Sequence, residues 1–147
     1  MIITQKQGTL EYLVAEGICV PHGFTTRYGG VSTGAQSSLN LAFREGESME
    51  NVEKNLHILA SALAFDPKKM VLTRQTHSDI VRVVTDADCA GLCHRDYPEC
   101  DALVTNTPGV TLMVFTAEEC SGLCPTLFCL GKYRAQGDIE PHNKLRQ

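Results

Sequence analysis

Apolar and polar residues alternate in short runs over most of the first 117 positions, which predicts strands more often than helices. Met1 to Thr4 and Leu10 to Ala15 read as an opening strand pair joined around Gly8. Phe24-Thr25-Thr26-Arg27 alternates as a half-buried strand does and runs into the glycine-punctuated loop Tyr28-Gly29-Gly30-Val31-Ser32-Thr33-Gly34. The clearest helix spans Met49 to Ala64, where Val52, Leu56, Leu59, Ala60 and Leu63 fall on one stripe. Ser48 is its expected N-cap, Glu50 and Glu53 suit the positive first turn, and Asp66-Pro67 closes it. Three further strands are predicted at Met70 to Thr73, Ile80 to Val84 and Ala102 to Thr105. After a Pro108-Gly109 turn, Leu112-Met113-Val114-Phe115 is apolar on both faces, the pattern of a buried central strand. No strong period extends past Leu130, and the stretch from Gln136 to Gln147 is polar.

Composition narrows the function classes. The 147 residues carry 13 Lys and Arg against 17 Asp and Glu, a formal charge of −4. That balance argues against a nucleic-acid binder, which shows a basic patch. No apolar run approaches 18 residues, so no membrane span is expected. Seven cysteines, an odd count, and no hydrophobic leader segment favour a reducing, cytoplasmic location over a disulfide scaffold.

Three constellations carry candidate chemistry. His77 follows one strand in Arg74-Gln75-Thr76-His77-Ser78, and Cys120 follows another in Thr116-Ala117-Glu118-Glu119-Cys120. If those strands share a sheet, their C-terminal ends bring an imidazole and a thiolate together, as a nucleophile–base pair or as two zinc ligands. The alternative is a solvated histidine and a small core cysteine. Cys89, Cys93, His94 and Cys100 form a second group, but their spacing fits no standard structural zinc site, and bystander thiols are expected there. Third, Arg27 and the glycines after it offer a forked donor and backbone N–H groups to a phosphate, although the segment is not a P-loop and a simple turn is the alternative.

Taken together, these segments resemble one family. His22-Gly23-Phe24-Thr25-Thr26-Arg27-Tyr28-Gly29-Gly30-Val31-Ser32 and Ser38-Leu39-Asn40-Leu41 are similar to the opening motif of the laccase-domain proteins. These are also called multicopper polyphenol oxidase-like proteins and are better described as purine nucleoside phosphorylases. The helix with Asn51, Val52 and Asn55, the signature Gln75-Thr76-His77-Ser78, Asp101-Ala102-Leu103-Val104-Thr105 and Pro108-Gly109 follow in the family's order. The resemblance covers residues 18–117 and implies an α+β fold, a mixed β-sheet sandwich with flanking helices. It implies a zinc site (copper has also been proposed), with His77 as the first ligand and a cysteine as the second. The implied reaction is phosphorolysis of adenosine and inosine, with adenosine deamination as a second activity. Purine nucleoside and phosphate are then the partners, and the Arg27 loop is the candidate for holding phosphate.

The chain also departs from the family pattern. Thr116-Ala117-Glu118-Glu119-Cys120 has one residue more than the family's Thr-Ala-Asp-Cys, and a one-residue slip turns an extended side chain to the opposite face. Glu119, Cys120 or Cys124 can therefore stand at the ligand position, and Cys120 is the expected one. The family's later His-Ala-Gly-Trp is absent, and His142 is the only downstream histidine. The expected organisation is the N-terminal part of the family domain at residues 1–117, short of the whole fold, followed by a divergent tail at 118–147. Two functions follow as expectations: a phosphorylase whose metal site uses His77 and Cys120, or a catalytically silent remnant that at most binds metal or a partner.

Overall fold

The computed structural model describes residues 1–43, 45–92, 96–115 and 126–130, the last as a backbone strand. Its main sheet runs β1 (Ile2–Gln7), β2 (Leu10–Ala15), β3 (His22–Thr25), β8 (Thr126–Leu130), β7 (Thr111–Phe115) and β4 (Met70–Leu72). All neighbours are antiparallel except the parallel pair β4 and β7. A second, two-stranded parallel sheet joins β5 (Val81–Val83) to β6 (Ala102–Val104). The mixed α+β class expected from the sequence is the class observed. The flanking helices reduce, among the described residues, to one α-helix, α1 (Met49–Leu63), and three 3-10 turns at Gly34–Gln36, Pro67–Lys69 and Asp86–Asp88.

Helix α1 forms where its apolar stripe and its caps agree. The Ser48 hydroxyl accepts from the Asn51 N–H at 3.1 Å, which satisfies one of the orphan donors of the first turn. At the other end Ala64 adopts a left-handed conformation at φ 55°, and the Phe65 N–H returns to the Ala60 carbonyl at 3.1 Å. That is a Schellman-type stop, one residue before the expected end. Val52, Leu56, Leu59, Ala60 and Leu63 are all buried, joined by Leu10, Met70, Val71, Leu72 and Met113 from the sheet. Burying the stripe supplies the stability that helix propensity alone does not.

Strand boundaries moved where side chains replace ladder bonds. The third strand was expected to run to Arg27 but stops at Thr25. The Thr26 hydroxyl donates to the Glu11 carbonyl at 2.8 Å and accepts from the Tyr28 N–H at 3.2 Å, turning the chain out of the sheet. Conversely, β1 extends to Gln7, because pairing with β2 in register Gln7↔Leu10 carries polar residues into the hairpin. Strand β7 is central as expected, flanked by β4 and β8. Strand β8 was not anticipated, since nothing in the pattern of Thr126 to Leu130 identifies its two partners.

Candidate functional site

The first loop of interest leaves β4 for β5 and carries Gln75, Thr76, His77 and Ser78. Its shape is imposed from 24 residues away. The Asp101 carboxylate, just before β6, accepts from the N–H groups of Thr76 (3.2 Å), His77 (3.0 Å) and Ser78 (2.9 Å), and from the Ser78 hydroxyl at 2.7 Å. Three successive N–H groups converging on one anion form a nest, a concavity that favours negative charge. The Ser78 hydroxyl first, then the backbone donors of Ser78, Thr76 and His77, hold the Asp101 carboxyl down at about 2, well below the usual carboxylate range. The turn requires His77 itself to sit at φ 58°, a left-handed conformation uncommon outside glycine. The loop is also tied at both ends: Cys100 donates to the Arg74 carbonyl, and Asp101 and Ala102 donate to that of Ile80. Within this frame the His77 ring stands exposed and makes no hydrogen bond among the described residues. An imidazole held by a fixed backbone, with its ring left open, suits a ligand or a general base.

Arg27 and the glycine loop have a different construction. The Arg27 guanidinium donates twice to the Ser37 carbonyl, from Nε at 3.0 Å and from Nη2 at 2.6 Å. The Gly29 and Gly30 N–H groups donate to the Ser38 hydroxyl, Val31 to Asn55 Oδ1 at 2.7 Å, and Ser32 to the Ser38 carbonyl at 3.0 Å. These four donors are used inside the loop, so it is not an open anion cradle. The glycines serve close packing instead. A Cβ on Gly30 would lie 2.2 Å from the Ser38 carbonyl oxygen and 2.5 Å from Asn55 Oδ1, and one on Gly29, at φ 100°, 2.2 Å from Leu10 Cα. Asn55, wholly buried in α1, closes this network by also donating to the Ser32 hydroxyl (2.9 Å) and the Asn40 carbonyl (2.7 Å).

Of the remaining sequence candidates, Cys120, Cys124, Cys93, His94 and His142 lie outside the described residues. Cys100 is fully buried, and burial first and the Asp86 charge second push the half-buried Cys89 thiol up, away from thiolate chemistry. His22 is a structural histidine. Its Nε2 accepts from the Ala15 N–H at 2.8 Å, so Nδ1 carries the proton and donates to the Val20 carbonyl at 2.8 Å. Among the described residues no group of three His, Cys, Asp or Glu side chains is placed to hold a metal ion. His77 alone does not complete a metal site. Asp101 was legible as a motif letter, but its role was not, because the contact is made across the β4–β6 connection.

A mixed sheet with one covering helix, and a histidine exposed on the loop that follows its parallel strand β4, describe an α+β protein. The chain belongs to the family described as multi-copper polyphenol oxidoreductase laccase, whose model matches residues 21–134. It is 42% identical over 112 residues to a purine nucleoside phosphorylase of Deinococcus radiodurans, covering 74% of this chain and 40% of that one. Among solved structures it is similar to YlmD from Geobacillus stearothermophilus, with TM-score 0.62 and 26% identity over 89% of this chain and 53% of the other. YfiH of Bacillus licheniformis gives TM-score 0.64 at 26% identity, with 87% and 52% covered. The chain thus spans two fifths of the Deinococcus relative's length and about half of each solved chain. No helix among the described residues is long and apolar enough to cross a membrane.

Proposed function

We propose that this chain carries part of a purine nucleoside phosphorylase site, with a purine nucleoside and inorganic phosphate as substrates. The observation that supports this reading most is the His77 loop, held open by Asp101 within a stretch 42% identical to a relative that bears that name. In phosphorolysis a phosphate oxygen attacks the anomeric carbon of the ribose as the bond to the purine breaks, and positive charge develops on the sugar. Arg27 is the proposed phosphate contact. Its Nε and Nη2 are fixed on the Ser37 carbonyl, which orients the guanidinium plane and leaves Nη1 as the donor for the anion. His77 is proposed as the catalytic imidazole and, with Cys120, as a metal ligand. A zinc ion bound there would supply Lewis acidity and an activated water, the chemistry that adenosine deamination needs. The described residues offer only His77 toward it, so no step of the phosphorolysis is assigned to the metal. A cytoplasmic setting, where nucleosides and phosphate meet in a reducing solution, is proposed with this function. The domain reading is retained likewise, with residues 1–117 as the N-terminal part of the family domain.

The reading is tested with purified protein by elemental analysis for zinc and copper, alongside inosine or adenosine with phosphate. Stoichiometric zinc lost in His77→Ala and in Cys120→Ser, together with ribose 1-phosphate release, supports it. A metal-free, folded chain with no turnover overturns it.

A further inference from the structure

The two faces of the main sheet are finished differently. The strand registers place Leu10, Thr25, Met70, Thr111 and Met113 on one face, and all five are buried. Helix α1 covers that face, with Leu63 side-chain carbons 3.0 and 3.2 Å from where a Cβ on Gly23 would stand. The same registers put Ile2, Leu13, His22, Phe24, Leu112 and Val114 on the opposite face. There Ile2 is 71% exposed and the other five are half-buried, and full cover is reached at the far edge, at Val71 of β4. An apolar sheet face calls for a second packed layer, and the one α-helix among the described residues lies on the first face. His22 adds to this surface as a carbon-edged ring. Its Nε2 and Nδ1 are both taken up by the Ala15 N–H and the Val20 carbonyl of its own chain. Charge is sparse as well: Lys6 and Glu11, paired at 3.0 Å, share this face and cancel.

We propose that this face docks on the same face of a second copy of the chain, sheet against sheet, as a two-fold dimer. A contact of that symmetry needs a self-complementary patch. An apolar face whose one cation and one anion cancel meets the need, although the chain as a whole carries −4 and would repel its copy through an acidic surface. The size of the face sets the strength. From β1 to β7 it spans five strands ~4.8 Å apart and about five residues long, roughly 19 by 17 Å, on the order of 300 Å² in plan. That reaches the ~300–600 Å² of the largest apolar patch on a typical monomer, which is often an interaction site. Counted over two copies it falls at the small end of specific interfaces, so a micromolar and not a nanomolar dimer is expected. The inference goes beyond the phosphorylase reading and does not depend on it, because Arg27 and His77 lie on loops outside the strands.

Sedimentation velocity of the whole chain from about 1 to about 500 μM tests this, and a reversible monomer–dimer shift within that range is the expected result. Leu13→Lys sets a charge inside the contact and should leave a monomer at every concentration. Because Leu13 is half-buried, Ile2→Lys is the second variant: at 71% exposure its side chain adds little to the fold, yet the change should weaken the dimer about tenfold. Ile18→Lys, exposed in the connection between β2 and β3 and off the sheet, should leave the dimer as it is. A wild-type chain that stays monomeric throughout overturns the proposal, whether the face then takes up phosphatidylcholine vesicles, another polypeptide or nothing. A dimer that Ile2→Lys leaves untouched overturns it too, whether or not Leu13→Lys folds. Association that continues past two copies also overturns it, and moves the contact to the open edge of β1.

Discussion

Replacing Asn55 of α1 by alanine should be the most damaging single change for the loop that carries Arg27. Asn55 is fully buried, yet its carboxamide accepts from the Val31 N–H and donates to the Ser32 hydroxyl, to the Asn40 carbonyl and, at 3.4 Å, to the Ser38 carbonyl. The partners differ in what they can do once it is gone. Val31 is 41% exposed, so its N–H can turn to water, whereas Ser32 and Asn40 are 4% and 6% exposed and have no such outlet. Two buried groups left short of a donor cost about 1–3 kcal/mol each, and the removed side chain leaves a small void besides. The total expected is about 3–5 kcal/mol, at the upper end for a point substitution. In a chain of this size that lowers the melting temperature by roughly 6–20 °C. Asn55→Asp should be no better, because a carboxylate would face the Asn40 and Ser38 carbonyls where donors now stand. Chemical denaturation followed by circular dichroism measures the loss, and amide exchange at Val31, Ser32 and Leu39 locates it. A cost under about 1 kcal/mol, or unchanged protection in the loop, would refute the assignment of Asn55 as its anchor.

Other predictions bear on separate parts of the molecule. Ala64→Gly should stabilise the chain by about 1 kcal/mol, because Ala64 already holds the left-handed φ of 55° that glycine adopts without strain; a lower melting temperature would contradict the stop at the end of α1. Glu47 accepts from Asn40, Asn51 and the Ser48 N–H, and the Asn40 side chain first, the Ser32 side chain second, then Asn51 and Ser48 hold its carboxyl below the usual range. A lowered folded value means that its stabilisation is present above the unfolded value near ~4.3 and is lost as pH falls through the folded one. Glu47→Gln should therefore melt lower than wild type at pH 7, with the gap closing below about pH 4; a gap that is constant with pH would contradict it. Asp101→Ala removes the acceptor of four hydrogen bonds and should loosen the His77 loop, lowering metal affinity about tenfold or more while α1 keeps its amide protection. Titration with zinc, read by competition with a chelator, checks this, and an unchanged affinity would show that the loop does not need its clamp.

How much was readable from the sequence differs between elements for identifiable reasons. The α1 stripe, Ser48 as its cap and the central place of β7 follow from periodicity, because each depends on residues within a few positions of one another. Contacts made across the chain were not readable. Asp101 reaches back 24 residues to His77, and Asn55 reaches 24 residues to Val31, so both were visible as motif letters without their roles. The glycines after Arg27 suggested an anion cradle, yet the same residues are explained by the packing of Ser38 and Leu10, atoms of which would lie 2.2 Å from a Cβ added at Gly30 and Gly29, and that packing appears only once the loop is folded. Strand β8 escaped notice because a five-residue apolar run carries no sign of the two strands it separates, here β3 and β7.

The central claim, that this chain serves a purine nucleoside phosphorylase site, is tested most directly by phosphorus NMR of the purified protein with inosine and inorganic phosphate. The expected result is a ribose 1-phosphate signal that grows with time, needs both substrates and vanishes in His77→Ala while that variant remains folded. Inosine and phosphate left unconverted by the folded wild-type chain supplied with zinc, or conversion that persists in His77→Ala, would contradict it.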